Sequence, residues 1–155
     1  MGIRLALAAL VVLLDQASKL AVLRLLEPYQ VMPVVPDFFN LTLAFNRGAS
    51  FSFLAEAGGW QRWLFSGIAA VAAVVIIVLL RRTPPGDRLN GYGLALVLGG
   101  AIGNLVDRLR LGHVVDFFDV YHRAWHFPAF NVADSAITIG AALLVLGIGR
   151  QGDRH

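Results

Sequence analysis

Four long apolar runs limit what this chain can fold into more than any other feature. They cover roughly Ile3–Leu26, Trp63–Leu80, Gly91–Leu109 and Val132–Ile148. At ~1.5 Å of helical rise per residue, each is long enough to cross ~30 Å of hydrocarbon. A backbone in lipid must satisfy its own polar groups, so each run is expected to be an α-helix. Among 155 residues, 57% are hydrophobic and only 15% charged, and the mean hydropathy is +0.68. That composition excludes an ordinary soluble domain. The expected fold is mainly α: a four-transmembrane-helix bundle forming a single integral membrane domain over 1–155. The first run has Arg4 ahead of it, as a signal peptide would. Asp15 and Lys19 interrupt it, however, and no clean cleavage site follows, so it reads as a retained helix.

The basic residues set the orientation. Arg4, Arg81, Arg82, Arg88, Arg150 and Arg154 fall on one side of the four runs, which places both termini in the cytoplasm. Trp60, Trp63, Tyr121 and Trp125 then lie near the outer interface. The isoelectric point is about 10.0, but no dense Lys/Arg run exists and no nucleic-acid partner is expected. There is no cysteine, which rules out a disulfide, a thiolate nucleophile and a Cys-based metal site. Gly99 and Gly103 form a GxxxG in the third run, a pattern that lets helices approach closely. Between the first two runs, Phe39, Leu41, Leu43 and Phe45 alternate with Asn40, Thr42, Ala44 and Asn46. This is the period of a strand. Asn46-Arg47-Gly48 reads as a turn, and Phe51 and Phe53 alternate after it. An extracytoplasmic β-hairpin over about 38–54 is therefore expected, outside the lipid.

Ionisable groups at membrane depth are costly and usually functional. Measured from the outer ends of the runs by helical rise, Asp134 lies ~5 Å in, Asn104 ~8 Å, Lys19 ~10 Å and Asp15 ~16 Å. Asp107 and Arg108 fall close to the surface, and Asp116 follows after a short loop. The second run carries only Ser66 and reads as a scaffold. One polar cavity, open toward the outer leaflet, is expected. Asp15 and Lys19 share a helix face four residues apart, as an ion pair would, although Lys19 has the length to snorkel to headgroups. Arg108 is placed either to pair with Asp107 or to clamp substrate carbonyls.

Five segments carry a family resemblance. Asp15-Gln16-Ala17-Ser18-Lys19, Asn46-Arg47-Gly48-Ala49-Ser50-Phe51, Gly103-Asn104-Leu105-Val106-Asp107-Arg108, Val114-Val115-Asp116-Phe117 and Phe130-Asn131-Val132-Ala133-Asp134-Ser135 resemble, in order, the boxes of the bacterial lipoprotein signal peptidases (signal peptidase II). The resemblance implies an intramembrane aspartyl endopeptidase of the bacterial inner membrane with its active site facing outward. It would cut the signal peptide from lipoprotein precursors already carrying diacylglycerol. By the same resemblance, Asp116 and Asp134 match the catalytic dyad. Asn46, Gly48, Asn104, Arg108, Asn131 and Ala133 match supporting positions, and Asp15 and Lys19 structural or substrate-proximal ones. No cofactor or metal is implied. The expected partners are the lipid-modified precursors and membrane lipids, and the expected state is a monomer.

The chemistry agrees with that pairing. Peptide hydrolysis without a metal or a nucleophilic side chain needs an activated water and a proton donor. Two carboxylates sharing one proton supply both, because adjacent like charges split their pKa values. The leading alternative is a membrane metalloprotease. His113, Asp116, Asp119 and His122 repeat every third residue and His126 follows, but on a helix that step drifts ~60° each time, turning His113 and His122 to opposite sides. The segment is also rich in β-branched and aromatic residues, as a loop or strand would be. A small ion-coupled transporter using Asp15 and Lys19 is a further alternative, and no inverted repeat supports it.

Overall fold

The computed structural model describes residues 1–48 and 59–152; Phe51 and Phe53 of the expected hairpin lie outside the described residues. The helices are α1 (Gly2–Leu25), α2 (Trp60–Arg82), α3 (Arg88–Leu111) and α4 (Val132–Gly152). The strands are β1 (Val31–Val35), β2 (Phe39–Asn46), β3 (Val114–His122) and β4 (Trp125–His126). Among the described residues, α1, α2 and α3 are long and apolar enough to cross a membrane, and the apolar stretch of α4, Val132–Gly147, is shorter.

Helix α3 is the centre and packs against the other three helices. Helices in lipid gain little from hydrophobic burial and associate by close packing instead. The α3 glycines permit that approach. A Cβ on Gly99 would stand 2.7 Å from the Ala8 carbonyl oxygen of α1, and one on Gly100 would collide with the Ala133 carbonyl oxygen of α4. Asp87 caps the start of α3, accepting from Asn90 N at 3.2 Å. Gly112 ends it in the left-handed region at φ +80°, with its N–H bonded to Arg108 O at 3.1 Å. At the opposite end from the sheet, buried Arg4 donates to the carbonyls of Thr83 (2.8 Å), Pro84 (2.7 Å) and Asp87 (3.1 Å), tying the start of α1 to the α2–α3 turn.

The sheet is antiparallel in the order β1-β2-β3-β4. Strand β2 is where the alternation puts it, but its burial differs from a plain two-residue repeat. The β2–β3 register shifts between Leu41 and Ala44. Thr42 and Leu43 within this shift are both buried, and Asn40 is buried while Leu41 is only half-buried. Strand β1 was not expected; Pro33 sits within it and all five residues are exposed. The sheet seats on α1 through Leu43, Val115 and Phe117, which pack with Val22 and Leu26. Each such side chain contributes about 1.5–3 kcal/mol by leaving water.

Candidate functional site

Helix α4 begins with a reciprocal cap. Asp134 N donates to Asn131 Oδ1 (2.9 Å), and Asn131 N donates to Asp134 Oδ2 (3.3 Å), which is a capping box with Asp in the acidic place. The cap fixes which way the Asn131 amide faces. Its Nδ2 donates to Asp116 Oδ1 at 2.7 Å, and reaches Val115 O at 3.3 Å and Asn104 Oδ1 at 3.2 Å. Asn104 is oriented by the same logic. Its Oδ1 also takes Lys19 Nζ at 3.1 Å, so its Nδ2 donates to Asp134 Oδ1 at 2.8 Å. Asn46 Oδ1 accepts from Gly48 N at 2.8 Å, leaving its Nδ2 to donate to Asp116 Oδ2 at 3.1 Å. Gly48 is at φ +86°, and a Cβ there would run into the Phe65 ring; glycine is what lets the turn hold Asn46. The structure thus brings Asp116, from β3, and Asp134, from α4, onto one shared asparagine.

The two acids differ in surroundings. Asp116 is 2% exposed. Burial first, and then the charge of Asp134, push its carboxyl up to about 6, against the pull of the Asn46 and Asn131 hydrogen bonds and of Lys19. Asp134 is half-buried and opens on a groove of about 530 Å³ lined by Phe127, Pro128, Phe130, Thr138 and Ile139 among others.

Beneath the acids lies an ionic support. Lys19 is 2% exposed. Its ammonium meets Asp15 Oδ2 and Asp107 Oδ2, both at 2.8 Å, besides Asn104, so three N–H groups have three acceptors. Lys19 is therefore enclosed rather than snorkelling to headgroups. Asp15 Oδ1 accepts Ala133 N at 2.9 Å, a negative charge at the start of α4. Asp107 accepts Val115 N (3.1 Å) and Gln16 Nε2 (2.9 Å), joining β3 to α3. Asp107 is buried in the protein, and its ionic partner is Lys19 rather than Arg108, because helical spacing places neighbours on different faces without saying which face meets α1. Gln16 was not singled out from the sequence at all. Arg108 reaches Asn104 O at 3.5 Å and lies 5.8 Å over the Phe65 ring. Its buried Nε has no hydrogen-bond partner among the described residues.

The His/Asp series lies in and around β3, where residues three apart point to opposite faces. Asp116 turns to Asn46 and Asn131, and Asp119 to Asn40 and His126. Among the described residues no three His, Cys, Asp or Glu side chains gather as metal ligands would.

Together the helices, the sheet above them and the buried polar network around the two acids define a multi-pass helical membrane protein with a polar site at one end of its bundle. The chain belongs to the signal peptidase (SPase) II family, whose profile matches residues 7–149, and is thereby a peptidase. It is 56% identical over 142 residues to a lipoprotein signal peptidase of Paraburkholderia phytofirmans, covering 92% of this chain and 81% of that one. It is 52% identical over 151 residues to a lipoprotein signal peptidase of Cupriavidus necator, covering 97% and 85%. The fold matches that of a bacterial membrane enzyme solved in meso at 2.3 Å, with a TM-score of 0.87, 27% identity and coverage of 99% and 92%.

Proposed function

We propose that this signal peptidase II is an aspartyl endopeptidase that removes signal peptides from diacylglyceryl-modified lipoprotein precursors, with Asp116 and Asp134 acting on one water. The observation that carries the reading is Asn131, whose side chain and backbone donate to Asp116 and Asp134 respectively. Both acids are thereby held as acceptors on one residue. The names of the relatives support the substrate class.

Asp116, raised by burial, keeps the shared proton and gives it to the scissile carbonyl oxygen. Asp134, facing the groove, takes a proton from the attacking water. The pair titrates as one unit. Among the described residues Arg108 Nε has no partner, and Asp107 pairs with Lys19, which favours the clamp on substrate carbonyls. Asn46, Asn104 and Asn131 aim the carboxylates, and Asp15, Lys19, Gly48 and Ala133 hold those asparagines and α4 in place.

The chain works as a monomeric single membrane domain with four spans in the cytoplasmic membrane. With 21 residues, α4 reaches ~31 Å. Arg4, Arg81, Arg82 and Arg88 lie together at the end away from the sheet, which supports cytoplasmic termini and a site facing outward. The test is cleavage of a diacylglyceryl-modified precursor by Asp116→Asn and Asp134→Asn. Each is expected to lose at least ~10³-fold in kcat while remaining folded; cleavage near the wild-type rate by either rejects the proposal.

A further inference from the structure

The groove beside Asp134 has a wall made by Phe127–Phe130. This wall leaves β4 directly after His126 and leads into α4. Its main chain is pinned at both ends, by Phe127 N to Val120 O (2.8 Å) and by the pair of bonds between Phe130 and Phe118 (2.8 and 3.1 Å). Pro128, between them, has no N–H to give. The residue just ahead of the wall is His126.

That residue is fixed from two directions. His126 Nδ1 lies 2.8 Å from Asp119 Oδ1. A carboxylate only accepts, so Nδ1 carries the hydrogen. The imidazole also stacks on Tyr121, centroids 5.1 Å apart and planes 11° apart, and the Tyr121 hydroxyl takes Asp37 N at 2.8 Å. Asp119 is itself buried at 7% exposure, and its second oxygen accepts from Asn40 Nδ2 at 2.8 Å. It faces away from Asp116 across β3, so the acid chemistry does not use it. A buried carboxylate there needs another reason.

We infer that Asp119 and His126 are positioning residues: together they form a latch that sets the groove wall against Asp134, and so fix how tightly the apolar side chains of the precursor are held. The inference rests on the aspartyl reading only in taking the groove beside Asp134 as the substrate's. The wall is lined by Phe127, Pro128 and Phe130, and the facing α4 by Thr138 and Ile139, which suits apolar side chains with a small polar contact. The latch touches no reacting atom. The Phe130–Phe118 bonds stand between the latch and Asn131, so loosening the latch shifts the Phe127 end of the wall while the acids stay held; substrate binding weakens and the chemical step stays.

Steady-state kinetics of the purified full chain on a diacylglyceryl-modified precursor peptide test this. Asparagine places its amide nitrogen where Nδ1 stands, and glutamine places it one bond further out. His126→Gln and His126→Ala are expected to raise KM ~10-fold with kcat held within ~2-fold, and His126→Asn to restore KM to within ~2-fold of wild type. The partner gives an independent check. Asp119→Ala should reproduce the KM of His126→Ala. Asp119→Asn should raise KM less, because its oxygen still takes Nδ1–H and its amide can donate to Asn40 Oδ1, which has no partner among the described residues. An unchanged KM in His126→Gln, a His126→Asn no better than His126→Gln, or a loss in kcat alone overturns the latch. Active Asp116→Asn or Asp134→Asn would instead sink the dyad and leave these KM comparisons standing. Inactive dyad variants beside an unchanged KM would sink the latch alone.

Discussion

Asp116 costs the fold stability whenever it is ionised, and Asp116→Asn exposes that cost. Burial and the neighbouring Asp134 raise its carboxyl from 3.8 to about 6. The folded state therefore binds the proton more tightly than the unfolded chain. Stability contributed by the neutral form is fully present below 3.8 and is lost as pH rises through about 6. The full difference is ~3 kcal/mol, reached by about pH 7.5, of which ~1 kcal/mol is already lost at about pH 4.5. Asparagine carries no charge at either pH. It also meets Asn46 and Asn131, both donors, with one oxygen instead of two, which costs about 1–3 kcal/mol. That penalty does not depend on pH, so it cancels when the same variant is compared at two pH values. The stability of Asp116→Asn relative to wild type should thus improve by ~2 kcal/mol between about pH 4.5 and 7.5. For a chain of this size that is a gain of ~4–8 °C in relative Tm. Thermal unfolding of both proteins in one detergent, followed by tryptophan fluorescence, reads it directly. A relative Tm that is flat with pH, or that falls as pH rises, would refute the claim that Asp116 is held above its ordinary value.

Two further outcomes follow from the packing. Lys19→Met leaves Asp15 and Asp107 buried without their shared cation and should cost about 3–5 kcal/mol, seen as loss of folded protein or a sharply lower Tm at neutral pH. Gly100→Ala puts a methyl against the Ala133 carbonyl and Ile137 of α4 and should cost about 1–3 kcal/mol by overpacking. It should also cut kcat, by prising open the 2.8 Å bond from Asn104 to Asp134. Gly67→Ala on α2, with nothing within 4 Å of its Cβ, is the control expected to leave Tm unchanged or slightly higher.

The helices were legible because long apolar runs have few alternatives in lipid, even where a few polar residues break them. Strand β2 was legible because its alternation is clean, but the bulge after Leu41 depends on the partner strand and leaves no mark in one strand read alone. Strand β1 was hidden, and β3 was open only as a loop or strand, for different reasons. The residues of β1 are all exposed and include Pro33, whereas in β3 the three-residue spacing of His113, Asp116, Asp119 and His122 imitates a ligand series. At the site, the chain order of the polar segments showed which residues could meet near one end of the bundle. It did not show that Asp107 belongs to Lys19, because that pairing is set by how α1 rotates against α3. Nor did it show that Asp119 is taken by His126, since that contact needs β3 and β4 to pair.

Whether Asp116 and Asp134 act as one unit on a single water is tested most directly by a kinetic cycle. Single-turnover cleavage would be compared for Asp116→Asn, Asp134→Asn and the double variant, all shown to be folded. A shared proton and a shared water mean that losing either acid disables the pair, so the double variant should be no more than ~3-fold slower than the slower single one. Losses that multiply, with the double variant slower by the product of the two single effects, would show the carboxylates acting separately and contradict the joint mechanism.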